Sequence, residues 1–538
     1  MALVGRVVYA HWTDTHGYSV EIFEWVIILL LGAALLSALA ARLSLPYPSL
    51  LALGGAGLAF LPVGPEWSLD PRLALTLFVA PVLLDAAYDS SPRDLLRNWR
   101  TLIGLALFAV IVSTISVAVL VKWLVPDMSW PVAIALGAIV APPDAAAASA
   151  VLRKLPMPHR LRMVLEGESL INDASALLIY RFAIVAAMTG GMETAKFFPE
   201  LLITVVGSLA LGGGAGFLFQ RFMRHIFKDV PTAVISQFAM TFGLWTLAEY
   251  LGLSGILTIV ANAMIVARFG RLNTAARMRV PTFAVWETVV FVLNAFAFML
   301  IGMQIGPIWE RLPPETRSGS LLTAVAVLAC VVSVRFAWIF AYSIIVRALR
   351  LDPTKRGVRM ADTLKGSAVL SWAGMRGIVT LAAAFAIPLT LVDGTPFPYR
   401  DLILLCAFVT VLGTLVIQGL TLGPLILALK LPSDDPVATE VSWARADVYA
   451  AGLAAIASDS SDEAEQVRRE YQMRQPANAG EEKPLDELPG NSLRRAVLDA
   501  ARNRSDQLRI TGKIGDEAFR TLEAELDWSE LGAGGLRD

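Results

Sequence analysis

Two groups of ionisable residues stand in otherwise apolar sequence: Asp144 in APPDAAAASA, and Glu168 and Asp173 in LEGESLINDASALLIYRF. A charge in hydrocarbon is costly unless it is paired, hydrated or coordinating an ion, so such groups in membrane spans read as an ion or proton pathway. Ser169 and Asp173 are four residues apart and share a helix face; Glu168 and Asn172 share another, about 100° around. The first face offers a hydroxyl and a carboxylate toward Asp144 and toward a backbone carbonyl freed at Pro143. These are hard oxygen ligands, suited to a small hard cation rather than a soft transition metal. The second face is better placed to bridge to an arginine.

The elements that must position these residues are membrane helices. Hydrophobic residues make up 56% of the 538-residue chain and charged residues 17%, with a mean hydropathy of +0.61. The apolar residues recur in runs of about 20, enough to cross ~30 Å of hydrocarbon. We place about thirteen spans, near 23–40, 49–63, 72–88, 101–124, 131–152, 164–189, 199–220, 231–250, 254–268, 281–306, 318–346, 367–390 and 401–429. Lys and Arg concentrate in alternate connections: Arg93, Arg97 and Arg100; Arg153, Lys154, Arg160 and Arg162; Arg221, Arg224 and Lys228; Arg268, Arg271, Arg277 and Arg279; and the segment from Arg347 to Lys365. That bias puts the N-terminus outside and everything after Lys430 in the cytoplasm of a cell whose inner membrane the chain crosses many times. The formal net charge of -1 is uninformative about partners. Cys330 and Cys406 lie in apolar runs without metal-ligand spacing. His11, Asp14, His16 and Glu21 near the N-terminus argue against a cleaved signal peptide.

Helix rise assigns a depth to each ionisable group. At ~1.5 Å per residue, Asp85 lies ~20 Å below the outer end of the third span, and Asp144 as far below that of the fifth. Asp173 lies ~14 Å above the inner end of the sixth, and Arg376 comes to a similar level in the twelfth. Arg335, in the eleventh, falls in the same inner half. Five groups from five spans thus converge on one layer. Pro142 and Pro143 interrupt the fifth span, and Gly374 and Gly377 flank Arg376 in the twelfth. Polar backbone at such depth is tolerated where it lines a cavity or meets a charge. Two broken spans seven apart fit inverted repeats of about six helices after an extra first one. The expected fold is therefore an all-α polytopic transporter with two crossing discontinuous helices.

EGESLINDASALLIYRF, with PPDA before it and GMRGIVTLA after it, resembles the monovalent cation/proton antiporters of NhaP type, relatives of the sodium/hydrogen exchangers, over residues 20–430. The resemblance implies a homodimer with a dimerisation domain and a six-helix ion-carrying core that alternates in elevator fashion. It implies no enzyme and no cofactor; the transported ions, Na⁺ or Li⁺ and H⁺, are the substrates. Asp144 and Asp173 would bind cation and proton, with Ser169 and the Pro143 carbonyl as further ligands and Asp85 as a water-linked acid on the cytoplasmic approach. Glu168, Asn172 and Arg335 would form a polar bridge, and Arg376 would stand at the crossover. Two departures mark this chain. Where many relatives have Thr-Asp-Pro it has Pro143, Asp144 and Ala145, so position 143 offers only its backbone oxygen, and Asp85 replaces a usual glutamate.

Burial disfavours a carboxylate's charged form and a bound cation restores it, so Na⁺ and H⁺ compete for one site. The resemblance implies electroneutral exchange, because position 172 is Asn. The rival readings are K⁺/H⁺ exchange by the same machinery, a gated cation channel and a receptor whose tail binds a partner. We divide the chain into an extracytoplasmic tail (1–22), a transmembrane antiporter domain (23–430) and a cytoplasmic helical regulatory domain (431–538). In the last, amphipathic stretches such as SLRRAVLDAARNRSDQLRI alternate with breakers. Arg494, Arg495, Arg502 and Arg504 are mixed with acids and read as a solvated face, so no nucleic acid is expected as a partner.

Overall fold

The computed structural model describes residues 24–43, 45–60, 75–89, 99–144, 157–189, 194–226, 229–270, 276–348, 360–431, 450–474 and 491–511, with shorter pieces such as 147–148 and 525–529. Residues 1–23, Ala145, many basic residues of the connections and the ends of several spans lie outside the described residues. The chain forms two compact units, Met1–Ser433 and Asp434–Asp538.

The first unit is helical, and each of the thirteen expected spans corresponds to a helix or to a broken pair. In chain order they are α1 (Glu24–Arg42), α2 (Tyr47–Leu58), α3 (Ala80–Asp89, entered through a π-turn at Leu75–Val79), α4 (Trp99–Leu124), α5 (Trp130–Val140) and α6 (His159–Thr189). Then come α7 (Thr194–Ile226), α8 (Val230–Tyr250), α9 (Gly255–Gly270), α10 (Ala276–Met303), the short α11 (Ile305–Arg311) and α12 (Arg317–Ala348). The last three are α13 (Met360–Trp372), α14 (Ile378–Phe385) and α15 (Arg400–Leu429). Eight helices among the described residues are long and apolar enough to cross a membrane. Others are shorter than a full crossing, and for α5, α13 and α14 the reason is a break in mid-span rather than a low apolar content.

Starts follow local chemistry. Pro48, Pro131 and Pro231 occupy first-turn positions, where a missing N–H costs nothing. Asp229 caps α8 by accepting from the Thr232 N–H at 3.0 Å, and hydrogen bonds from Thr232 hold this exposed carboxyl below its ordinary range.

The helices pack in two groups. In one, α7 lies on α9, α2 on α10, and α3 and α8 on α9; in the other, α4, α5, α6 and α12 pack together, with α12 also against α13 and α15. Contacts of α2 with α15 and of α3 with α6 join the groups, as does Arg181 of α6, which donates to the Leu253 carbonyl at 2.9 Å.

The α2–α10 seam is a backbone-to-backbone approach. A Cβ on Gly302 would lie 2.1 Å from the Ala52 carbonyl oxygen, and one on Gly55 2.1 Å from that of Met299. Without a hydrophobic driving force between helices in lipid, such small-residue seams let the backbones pack closely.

The second unit contains α16 (Asp462–Arg474) and α17 (Asn491–Ile510). Ser461 caps α16 by accepting from the Ala464 N–H, Arg468 and Arg469 pair with Glu465, and Arg502 pairs with Asp527.

The α2–α10 seam leaves no room for a side chain, so Gly302→Val will force the helices apart at a cost of about 1–3 kcal/mol. The check is thermal unfolding of the purified protein in detergent, where a melting curve identical to wild type would contradict this packing.

Candidate ion-binding site

The break after α5 leaves carbonyls without an intrahelical partner, as every helix C-terminus does. Those of Val140 and Ala141 accept from the Arg376 Nε and Nη2 at 3.0 and 3.1 Å. Arg376 is itself fully buried and also bonds the Gly374 carbonyl through Nη1. The partner break, between α13 and α14, carries Arg376 and so reaches across to satisfy the first. The return contact is a backbone one: the Asp144 N–H donates to the Met375 carbonyl at 2.7 Å. The two discontinuous helices therefore cross at their breaks.

This crossing fixes the Asp144 carboxylate. A Cβ on Gly377 would lie 1.5 Å from Asp144 Oδ2, so only glycine lets the carboxylate rest on the backbone at the start of α14. A helix N-terminus favours a negative charge there, while the Arg376 guanidinium sits at the C-terminus of α5, where a positive one is favoured. Asp173, on α6, is 4% exposed and close enough to Asp144 for the two carboxylates to repel. The Ser169 hydroxyl, one helical turn earlier, donates to the Pro143 carbonyl at 3.4 Å. Asp144, Asp173, Ser169 and Pro143 thus occupy one place, with oxygen atoms as their shared chemistry. Asp85 is half-buried on α3, which packs chiefly on α9 and also against α6, while the π-turn before it packs against α14.

Behind this cluster is a buried ion pair. Arg335 of α12 holds Glu168 with both ends of its guanidinium, Nη1 to Oε1 at 2.6 Å and Nη2 to Oε2 at 3.2 Å. Asn172 donates to the same Oε1 at 3.2 Å. Arg335 further donates to the Leu370 carbonyl in the last turn of α13, at 3.3 and 3.0 Å. A Cβ on Gly374 would lie 2.2 Å from its Nε.

Sequence reasoning missed Thr414 of α15, whose hydroxyl accepts from the Arg376 N–H at 3.0 Å and donates to the Thr410 carbonyl at 2.8 Å. The signal was present as a polar stripe, Thr410, Thr414 and Gln418, at four-residue spacing in the last apolar span.

Residues 26–428 match the family described as sodium/hydrogen exchanger, transmembrane. The chain belongs to this family. Its members are cation/proton antiporters, transporters rather than enzymes. Among similar proteins, the sodium, potassium, lithium and rubidium/H(+) antiporter of Bacillus pumilus is 33% identical over 386 residues, spanning 70% of this chain and 57% of the relative. The uncharacterized Na(+)/H(+) exchanger YjcE of Escherichia coli is 30% identical over 95% of this chain and 98% of its own. The Na(+)/H(+) antiporter ApNhaP of Aphanothece halophytica is 30% identical over 77% and 76%. A solved structure of the sodium proton antiporter MjNhaP1 from Methanocaldococcus jannaschii, at 17% identity, superposes with a TM-score of 0.60 over 77% of this chain and 99% of that one. That likeness shows the shared fold of this exchanger.

The arginine pair generates a stability prediction. Arg335→Ala strands Glu168 and the Leu370 carbonyl together, and breaking a buried pair costs about 3–5 kcal/mol. Glu168→Gln keeps an acceptor for Arg335 and removes one charge. The alanine variant will therefore melt well below the glutamine variant in detergent; equal melting temperatures would contradict this account.

Proposed function

We propose that this chain exchanges one Na⁺ or Li⁺ for one H⁺ across the membrane, with the two ions competing for Asp144 and Asp173. The observation that carries the reading is the seating of one carboxylate on the crossing of two broken helices, against a second buried carboxylate from α6. Carboxylate, hydroxyl and carbonyl oxygens suit a small hard cation. The Ser169–Pro143 hydrogen bond is long, at 3.4 Å, and a cation entering beside Asp173 would turn the Ser169 hydroxyl oxygen toward itself and meet the Pro143 carbonyl where it stands.

Charge balance supports a one-for-one stoichiometry. At the crossing and its bridge, two guanidinium groups, Arg335 and Arg376, stand against three carboxylates, Glu168, Asp144 and Asp173, a net charge of -1 that does not count Asp85 on α3. One monovalent cation or one proton brings it to zero. Either loaded form is then neutral and moves through a low-dielectric surround at lower cost than the empty one. Coupling follows, because the carrier reorients loaded and not empty. Glu168 stays neutralised by Arg335, and the ion's own carboxylates change state. Apart from the proton carried on a carboxylate, the exchange makes and breaks no covalent bond and needs no cofactor.

The working form is a homodimer in the cell membrane, with the N-terminus outside and the unit after Lys430 in the cytoplasm as a regulatory domain. The alternation of basic connections supports this orientation. The division of the helices into two packing groups is what relative motion of an ion-carrying group would require. The second reading is K⁺/H⁺ exchange at the same site, favoured by potassium in the name of the Bacillus pumilus relative. Collapse of a pH gradient in proteoliposomes by Na⁺, Li⁺ or K⁺ added singly separates the two. An unchanged rate under a voltage clamp is the electroneutral outcome.

Asp173→Asn and Asp144→Asn will each abolish cation-dependent proton movement while leaving a folded protein, since each removes an ion ligand and a proton site. Robust sodium-driven proton flux in Asp173→Asn would overturn the assignment. A chain ending after Lys430 keeps every residue of the crossing and will still exchange; the deletion will shift only the pH dependence of activation or the stability of the dimer. A folded truncated protein inactive at every pH would make the tail part of the transport machinery.

A further inference from the structure

One peptide unit joins three elements at the crossing. The carbonyl of Met375 accepts from the Asp144 N–H at 2.7 Å, and the Arg376 N–H, the other end of the same unit, donates to the Thr414 hydroxyl at 3.0 Å. A peptide unit is planar and almost always trans, so its C=O and N–H point in opposite directions. Holding one end aims the other. The unit lies between α13 and α14, outside helical structure, so no helix ladder orients it. The side chain on α15 that grips its N–H therefore sets the direction of the carbonyl that receives Asp144.

Thr414 has the chemistry and the footing for this. Its hydroxyl donates to the Thr410 carbonyl at 2.8 Å, with the Val411 carbonyl at 3.1 Å, so its proton is committed to its own helix and its oxygen faces outward as an acceptor. Main-chain carbonyls inside α15 are taken up by the helix ladder, so a side-chain oxygen is what that helix can offer to a loop N–H. Thr414 is buried, and α15 is the most deeply buried of the eight helices among the described residues that are long and apolar enough to cross a membrane. Ser49 of α2 braces the helix at the next residue, donating to the Leu415 carbonyl at 2.6 Å. Met375 also rests on α15, where a Cβ on Gly419 would lie 3.4 Å from its sulfur.

We propose that Thr414 is a positioning residue of the ion site: it holds the Met375–Arg376 peptide in the orientation that seats Asp144, and so sets the affinity for the cation. The inference rests on the proposed reading of Asp144 and Asp173 as the ion ligands and adds what places the first of them. A proton needs one carboxylate oxygen, whereas a cation needs several oxygens at matched distances. Without the hydroxyl the Arg376 N–H loses this acceptor, the peptide is free to turn, and the backbone of Asp144 is no longer held in register with Asp173 and Ser169. Cation binding then weakens, while the carboxylates themselves remain.

The test measures Na⁺-driven collapse of a pH gradient by the full-length protein in proteoliposomes over a range of Na⁺ concentrations. Thr414→Val, which keeps the branched shape and deletes the hydroxyl, will raise the half-saturating Na⁺ concentration about fivefold, the worth of one hydrogen bond, with the maximal rate of the folded protein near that of wild type. Thr414→Ser, which retains the acceptor, will restore the wild-type value. Thr410→Val, one turn earlier, will leave it unchanged, because the Thr410 hydroxyl has no hydrogen-bond partner among the described residues. Thr414→Ala removes the same oxygen without adding a methyl group and will give the same shift, which keeps the test decisive if the valine variant does not fold. A purely structural role would lower the maximal rate and leave half-saturation where it is, and that result overturns the proposal. So would an equal shift in Thr410→Val or no recovery in Thr414→Ser. Na⁺ dependence that persists in Asp173→Asn would instead remove the reading of the site beneath it; dependence lost there but unmoved in both Thr414→Val and Thr414→Ala strikes the role of Thr414 alone.

Discussion

The constraint on which the structure depends is that a backbone carbonyl exposed inside a bilayer must find a donor within the protein. Two helices stop in mid-membrane, and each leaves the carbonyls of its last turn open. Arg376 closes the first set by donating to Val140 and Ala141; Arg335 reaches the second at Leu370. A guanidinium suits this work because it presents several donors in a fixed plane and stays charged. Each arginine also places positive charge where a helix C-terminus favours it. Once these cations are committed to backbone, their charge must be balanced, and Glu168 and the aspartates are the groups available to do it.

Glycine makes this geometry possible. At Gly377 and Gly374 a side chain would occupy the space of the Asp144 carboxylate and the Arg335 guanidinium. The breaks are thus also the places where charged side chains lie directly on main chain. A buried charge held this way is positioned by backbone as much as by its own rotamer. The neighbouring Glu168–Arg335 pair has a different task. It holds α6, which carries Asp173, to α12, and Arg335 extends that tie to α13. The helix that carries Asp173 and Ser169 and the broken helix are in this way coupled through one residue, Arg335.

Much of this was legible in the sequence, for identifiable reasons. Membrane helices announce themselves by length and composition, and Pro142, Pro143, Gly374 and Gly377 announced the breaks because few residues are tolerated in mid-span without cause. The common depth of Asp144, Asp173, Arg335 and Arg376 followed from helix rise alone. What could not be read was partnership. Nothing in the spacing says that Arg376 turns to the carbonyls of α5 rather than to an acid, that the Asp144 N–H meets Met375, or that Thr414 anchors the loop. Those contacts join residues more than thirty apart and depend on how the breaks cross. The short α11 was missed for a simpler reason, since its seven residues add no apolar run of their own.

The same geometry bears on ion choice. With Pro at position 143, the site has a main-chain oxygen where a hydroxyl could otherwise rotate to fit, and that oxygen is fixed by the course of the break. Asp144 is held from both sides, its N–H tied to Met375 and its carboxylate seated against Gly377. In the proposed site the adjustable ligands would be Asp173 and Ser169, both on α6 and one turn apart, so they would move together when that helix moves. Oxygen sites separate cations through cavity size and rigidity. In the proposed site the distance between α6 and the crossing would set the size, and the Glu168–Arg335 bridge, which joins α6 to α12 and α13, would set how readily that distance changes. On the proposed reading, selectivity among Na⁺, Li⁺ and K⁺ would be a property of helix packing around the site more than of the identity of its ligands.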